Sequence, residues 1–393
     1  MKHSFLTACL AATIISLSAC GGSSSNSTSE QEFACIHNEE SVNWDLLLEG
    51  NAEKLSDYQL FLDSCNPAAT NSERGLPYDL SSALFTDYAS KYRFIFIPDD
   101  QHVLYNEKEA FDFPTGSVIT KTFTMPKDTS KRGIKNETLL ETRLLIKRTE
   151  GWIARAYVWN KNGTEAFLTR AGENIKINQI KHKGQNLSFT YKVPAQNECL
   201  TCHQLKIKND GTEKLEFKPI GPKARFLNSD YDYEFGTQNQ LTKWKEPGFL
   251  NGLPNNIEEV QKAHPFNDDM RVSDYSGTPE ELNATAKSWL DINCAHCHRP
   301  GGQASNTGFR VDYNTPLEGN AAYHGICQSP VSGASAGSTK IIVPGDAETS
   351  LLYNRLHTTN PGLSMPPLGR QVIHNEGTQL IKAWIDQLEG SCS

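Results

Sequence analysis

The chain has 393 residues, 37% hydrophobic and 21% charged, with 38 Lys and Arg against 46 Asp and Glu for a net charge of -8. That length points to two or three domains and a sizeable core. The composition excludes wholesale disorder, and mild acidity without a Lys/Arg run excludes a nucleic-acid binder held by electrostatics. The unusual count is ten cysteines, too many for a reducing compartment unless they hold something.

Residues 1–19 read as a signal peptide: a basic start at Met1-Lys2-His3, an apolar run from Phe5 to Leu17, and small residues before Cys20. Leu17-Ser18-Ala19-Cys20 resembles a bacterial lipobox, in which Cys20 carries the lipid; otherwise Cys20 is incidental to a plain secretory signal. Residues 20–31, rich in Gly and Ser, form a flexible tether. The resemblance places the chain in the cell envelope, on the periplasmic side. The absence of Asp after Cys20 favours the outer membrane over the inner. No later stretch is long and apolar enough to span a bilayer, so the expected membrane contact is the N-terminal lipid alone.

Residues 32–75 are expected to form a small helical cap, with its helix within Val42 to Leu62. Residues 76–196 then change to a β pattern. Strands are expected at Tyr92-Arg-Phe-Ile-Phe-Ile, Ser117 to Met125, Leu139 to Lys147, Trp152 to Trp159 and Leu187 to Val193. Turn signals lie at Glu150-Gly151, Asn162-Gly163 and Lys183-Gly184. An antiparallel sheet or sandwich follows from this pattern.

Residues 197–274 open with Cys199-Leu-Thr-Cys202-His203, and the same spacing recurs at Cys294-Ala-His-Cys297-His298. Cys-x-x-Cys-His is the attachment pattern of c-type haem. Cysteines three apart on a helical turn face the same way and can both bond one porphyrin edge, while the next His reaches the iron. A zinc ribbon sets its pairs about 15–20 residues apart, unlike these. A thioredoxin-like motif needs a βαβ context, which neither site has. Two covalently bound haems are therefore expected, with His203 and His298 as iron ligands. The first has no obvious second ligand: Met125, His102, His182 and His264 are candidates, and an open position is the alternative.

Residues 275–393 are expected to form a small cytochrome c domain. Thr278-Pro279-Glu280-Glu281 starts a helix that carries Leu282, Ala286, Trp289 and Ile292 into Cys294. Asp346 is expected to cap a helix with Leu351, Leu352 and Leu356. A last amphipathic helix opens at Asn375-Glu376-Gly377. Met365, between Ser364 and Pro366-Pro367, is the expected second ligand of the second haem, since a stiff surface loop is a poor place for a core methionine. His296 is expected to face solvent. The fold class expected overall is multi-domain: an antiparallel β-rich N-terminal domain plus a mostly α cytochrome c-like haem domain.

Cys35, Cys65, Cys327 and Cys392 remain after the signal, lipid and haem cysteines are set aside, and four cysteines allow three pairings. Proximity within the expected domains favours Cys35–Cys65 and Cys327–Cys392.

Several stretches resemble the bacterial diheme c-type cytochrome lipoproteins long described as conserved hypothetical proteins. They include Leu84-Phe-Thr-Asp-Tyr-Ala, Phe113-Pro-Thr-Gly-Ser-Val-Ile-Thr-Lys-Thr-Phe, Glu141-Thr-Arg-Leu-Leu-Ile and Tyr157-Val-Trp-Asn. Others are Val193-Pro-Ala-Gln-Asn-Glu-Cys-Leu-Thr-Cys-His, Ile220-Gly-Pro-Lys-Ala-Arg, Asn293-Cys-Ala-His-Cys-His-Arg-Pro-Gly-Gly, Val343-Pro-Gly-Asp and Met365-Pro-Pro-Leu-Gly-Arg. The resemblance covers roughly residues 75–390 and implies an exported protein with two haems. The leading expectation is electron transfer to or from a redox partner protein, steered by the acidic surface. The alternatives are a peroxidase-like diheme enzyme using an open first haem, and a redox-sensing binding module.

Overall fold

The computed structural model describes residues 34–69, 75–246, 248–270, 278–331 and 337–392. The expected signal peptide, Cys20 and the tether lie outside the described residues.

After a six-residue helix, α1 (Trp44–Glu49), the chain builds its main sheet. The strands are β1 (Leu76–Pro77), β2 (Ser90–Phe96), β3 (Val103–Leu104), β4 (Val118–Pro126), β5 (Glu137–Arg148), β6 (Gly151–Trp159) and β7 (Ala166–Thr169). All but β3 join one antiparallel sheet in the order β1-β2-β4-β5-β6-β7. Successive side chains of a strand point to opposite faces, and here both faces are covered. Phe94, Phe96, Val118, Leu144, Ile146 and Tyr157 pack against Leu47, Leu55, Tyr58 and Phe61 of the N-terminal cap. The opposite face carries Arg93, Ile95, Ile119, Lys121, Arg143, Leu145, Ala154 and Ala156, and it forms one wall of the candidate site.

A separate hairpin, β8 (Glu173–His182) and β9 (Gln185–Val193), follows. Ile177, Ile180, Tyr191 and Val193 of this hairpin pack with Phe123, Met125 and Ala156 of the sheet. The chain then forms the turn α2 (Cys199–His203) and a second hairpin, β10 (Gln204–Asn209) with β11 (Thr212–Phe217). Next come α3 (Ala224–Leu227), the hairpin of β12 (Asp230–Tyr233) and β13 (Gly236–Asn239), and α4 (Gln240–Lys245). The short β14 (Leu250–Asn251) pairs in parallel with β3. The last helices are α5 (Pro279–Asn293), α6 (Leu351–Leu356) and α7 (Asn375–Asp386).

The five expected strands are present. The C-terminal expectation needs correction: the chain is β-rich with 21% helix, and residues 275–393 do not form a mostly α cytochrome c domain. Their three helices hold 15, 6 and 12 residues, and the described residues between Asn293 and Leu351 form turns, bends, short bridges and one 3-10 turn at Ser305–Thr307. Helical periodicity marked these helices correctly, but it said nothing of the loops that dominate the segment. The segment lies within the compact unit Ala34–Ser393. Its helices share a core of Ala286, Trp289, Leu352, Leu380, Ile381 and Trp384, yet polar bonds fasten them to the sheet region. Asp291 of α5, 1% exposed, pairs with Arg225 at 2.7 Å and Lys223 at 3.3 Å. Asn293 accepts from the Phe85 N–H at 2.9 Å. Glu376 of α7 receives the Tyr88 hydroxyl at 3.0 Å and meets His182 at 3.0 Å.

Thr278 caps α5 through a capping box with Glu281, as its sequence implies. Asp346 does not cap α6, whose N-cap is Ser350; the Asp346 side chain accepts from the Thr349 N–H instead. Cys35–Cys65 and Cys327–Cys392 are both disulfide-bonded.

Candidate functional site

The first motif is set by its approach. After β9, Pro194 turns the chain, and the Glu198 carboxylate accepts from the Ala195 N–H at 2.8 Å and pairs with Lys192 at 2.7 Å. This anchors the single turn from Cys199 to His203. The His203 ring stacks on Phe217 of β11 at 4.7 Å, and its Nδ1 lies 2.8 Å from the Lys218 carbonyl. A carbonyl only accepts, so Nδ1 carries the proton. Burial lowers the His203 pKa to about 4, so the ring is neutral and Nε2 holds the lone pair. Nε2 has no hydrogen-bond partner among the described residues.

The second motif leaves the end of α5, and the N–H groups of Cys297 and His298 both donate to the Cys294 carbonyl, at 3.1 and 2.9 Å. The His298 Nδ1 lies 3.3 Å from the Thr307 hydroxyl. Burial lowers this pKa to about 4 as well. Both motifs thus present a neutral imidazole whose second nitrogen is held by the protein, the usual arrangement of a metal-binding histidine.

Each motif lines its own hollow. The first hollow is bounded by Cys199, Cys202 and His203 on one side and the sheet face on the other, with Pro366 and Leu368 also contributing. The second is lined by Cys294, Cys297, His298 and Met365 among Phe309, Ile341, Leu351, Leu352 and Leu356. Met365 therefore meets His298 in one hollow. Its loop is clamped: the Met365 N–H donates to the Arg355 carbonyl at 3.0 Å, and the Arg370 guanidinium binds the carbonyls of Arg355, Leu356 and Thr358.

The hollows meet at a junction. One ligand atom from each of Cys202, His296 and Cys297 lies within 4.8 Å of the others, and the Cys297 sulfur is 3.2 Å from the Thr201 carbonyl. His296, expected to face solvent, is half-buried with its Nδ1 enclosed and unbonded, and it lines both hollows. Sequence spacing could not show this, because the partner it packs against is 94 positions away, at Cys202.

The four thiols sit in unlike surroundings. The Cys202 thiol is held low, first by its hydrogen bond from Cys297 and then by His296, and Cys297 is raised in consequence. Burial pushes Cys199 up, and Cys294 up to about 12. A four-thiolate zinc centre brings four sulfurs to one point, whereas among the described residues the sulfurs that cluster are those of Cys202 and Cys297, with His296. The donor set of two thiols and one neutral imidazole in each hollow fits covalent haem.

No methionine lines the first hollow, and its histidines are His203 and His296. Of the expected candidates for a second ligand there, Met125 is buried with Tyr88 and Phe123, and His182 sits between Thr129 and Glu376. His102 is exposed and His264 half-buried, and neither lines the hollow. No family model, curated protein or solved structure matches the chain.

Proposed function

We propose that the chain is an exported diheme c-type cytochrome that carries electrons in the cell envelope, anchored by a lipid on Cys20. The observation that carries this reading is the pairing of two Cys-x-x-Cys-His turns. Each lines its own hollow, and the two touch through Cys202, His296 and Cys297. Cys199 and Cys202 would hold one haem and Cys294 and Cys297 the other, with His203 and His298 binding iron through Nε2 and Met365 completing the second site. Haem supplies reversible one-electron chemistry, and a thioether ligand favours Fe(II) and a higher potential. The protein's part is to fix both imidazoles through Lys218 and Thr307, to hold Met365 through Arg370, and to exclude water with the apolar lining of the second hollow. The acidic chain would meet a basic redox partner.

The test is the mass of the mature protein made in a host with cytochrome c maturation. Two haems per chain, retained on denaturation, are expected; the mass of the bare polypeptide overturns the reading.

A second reading is favoured by one observation, the lack of a methionine in the first hollow. An open first iron would make the chain a peroxidase-like diheme redox enzyme. Peroxide, cyanide or carbon monoxide perturbing the spectrum of one haem supports that reading, and two unreactive low-spin haems reject it.

A further inference from the structure

The sheet face that walls the first hollow carries a row of cations. Arg93 of β2 stands directly opposite Lys121 of β4, and Lys121 directly opposite Arg143 of β5. All three line the hollow with Cys199, Cys202 and His203. Directly opposed residues have Cβ atoms about 5 Å apart, and like charges in that position repel. Such a row is costly unless anions answer it.

Two of the three cations are answered inside the protein. Arg93 pairs with Asp79. Arg143 binds the buried Glu141 carboxylate through two hydrogen bonds of 2.8 and 2.6 Å. Lys121, between them, has no ion pair among the described residues, and its ammonium lies 5.0 Å from the Phe123 ring centre. Burial first, then the charges of Arg93, Lys91 and Arg143, hold its pKa well below the usual lysine range. The hollow offers it no free acid. Glu198 is the carboxylate in its lining, and that group is engaged by Lys192 and the Ala195 N–H.

We infer that the Arg93–Lys121–Arg143 row is a seat for an anion, a carboxylate or a small oxyanion held inside the first hollow beside the first Cys-x-x-Cys-His turn. Lys121 is its central contact. The anion has two sources of the same chemistry. One is a propionate of a haem attached at Cys199 and Cys202, which rests on the function proposed above. The other is a free anion entering the hollow, which does not.

The experiment compares the mature wild-type protein with Lys121→Met, which keeps the side-chain length without the charge, and Lys121→Arg, which keeps the charge. Haem content by mass comes first, so a failure of the haem reading is seen separately. Sodium formate is the probe, against sodium chloride at equal ionic strength. For a free anion, formate should raise the melting temperature saturably in wild type and Lys121→Arg, with an apparent affinity at least tenfold weaker in Lys121→Met. For a propionate, formate should have no effect, but Lys121→Met should lower the midpoint potential of one haem and leave the other unchanged, with Lys121→Arg restoring it. Unchanged formate response and unchanged potentials in Lys121→Met overturn the seat. If the protein carries no haem, the formate response alone decides, and its absence overturns the seat. If Lys121→Met does not accumulate, Lys121→Gln takes its place with the same outcomes.

Discussion

The two hollows begin from the same five-residue pattern and end in unlike surroundings. The first motif is an isolated turn between two hairpins, facing a β-sheet that carries a row of cations. The second closes a 15-residue helix and faces leucines, isoleucine, phenylalanine and a clamped methionine. The pattern itself dictates where a cofactor would be attached. What that cofactor could do is decided by the shell around it, and here only one shell supplies a soft ligand. On the proposed reading, that difference would give the second site a closed, electron-carrying role and leave the first open to an added group.

Four changes would break or sharpen this contrast. The largest effect is expected from removing the attachment points. Cys199→Ser with Cys202→Ser should subtract one haem from the mass, and Cys294→Ser with Cys297→Ser the other; if either pair leaves both haems in place, that motif is not an attachment site. Next is the joint between the regions. Asp291→Ala leaves Lys223 and Arg225, 5% and 2% exposed, as buried cations without that carboxylate, Arg225 keeping its hydrogen bond to the Lys108 carbonyl. That should cost about 3–5 kcal/mol in denaturant unfolding. A loss under ~1 kcal/mol would mean the two regions hold together by other means.

A smaller effect concerns Glu376. Burial pushes its carboxyl up, but hydrogen bonds from His182 and Lys183 outweigh this and hold the pKa at about 2, below its ordinary 4.5. A depressed carboxyl contributes stability that is complete above 4.5 and lost as the pH falls through about 2. Glu376→Gln should therefore cost on the order of 2 kcal/mol at pH 7. Its melting curve should converge on that of wild type as the pH approaches 2; a gap independent of pH would assign the loss to packing. The smallest change in stability is expected from Met365→Ala, which should make one haem five-coordinate and lower its potential. An unaltered optical spectrum would remove Met365 from the ligand set.

Local pattern made much of this legible. The apolar run Phe94-Ile95-Phe96-Ile97 and the strand signals from Ser117 to Trp159 marked the sheet, and Thr278-Pro279-Glu280-Glu281 marked the longest helix. Both disulfides followed from proximity along the chain. What stayed hidden depends on register and on distant contacts. No local signal says that Arg93, Lys121 and Arg143 share a row, since a shift of one residue would turn each to the other face. The meeting of His182, Tyr88 and Glu376 joins positions up to 288 apart, and Cys202 meets Cys297 from 95 positions away. The misplaced expectation of a mostly α domain arose because three periodic helices were easy to see and the loops between them carry no period.

Gly301 and Gly302 give the junction a further consequence. Gly301 has φ +77°, and its carbonyl accepts from the Lys206 N–H at 2.8 Å. A side chain at Gly301 would strike the Lys206 carbonyl, and one at Gly302 the Cys297 carbonyl. Beside that side-chain junction, the loop after the second motif packs backbone to backbone against β10, with no room for a side chain at either glycine. Any side chain at Gly301 would have to push β10, which directly follows the first motif, away from the loop that follows the second.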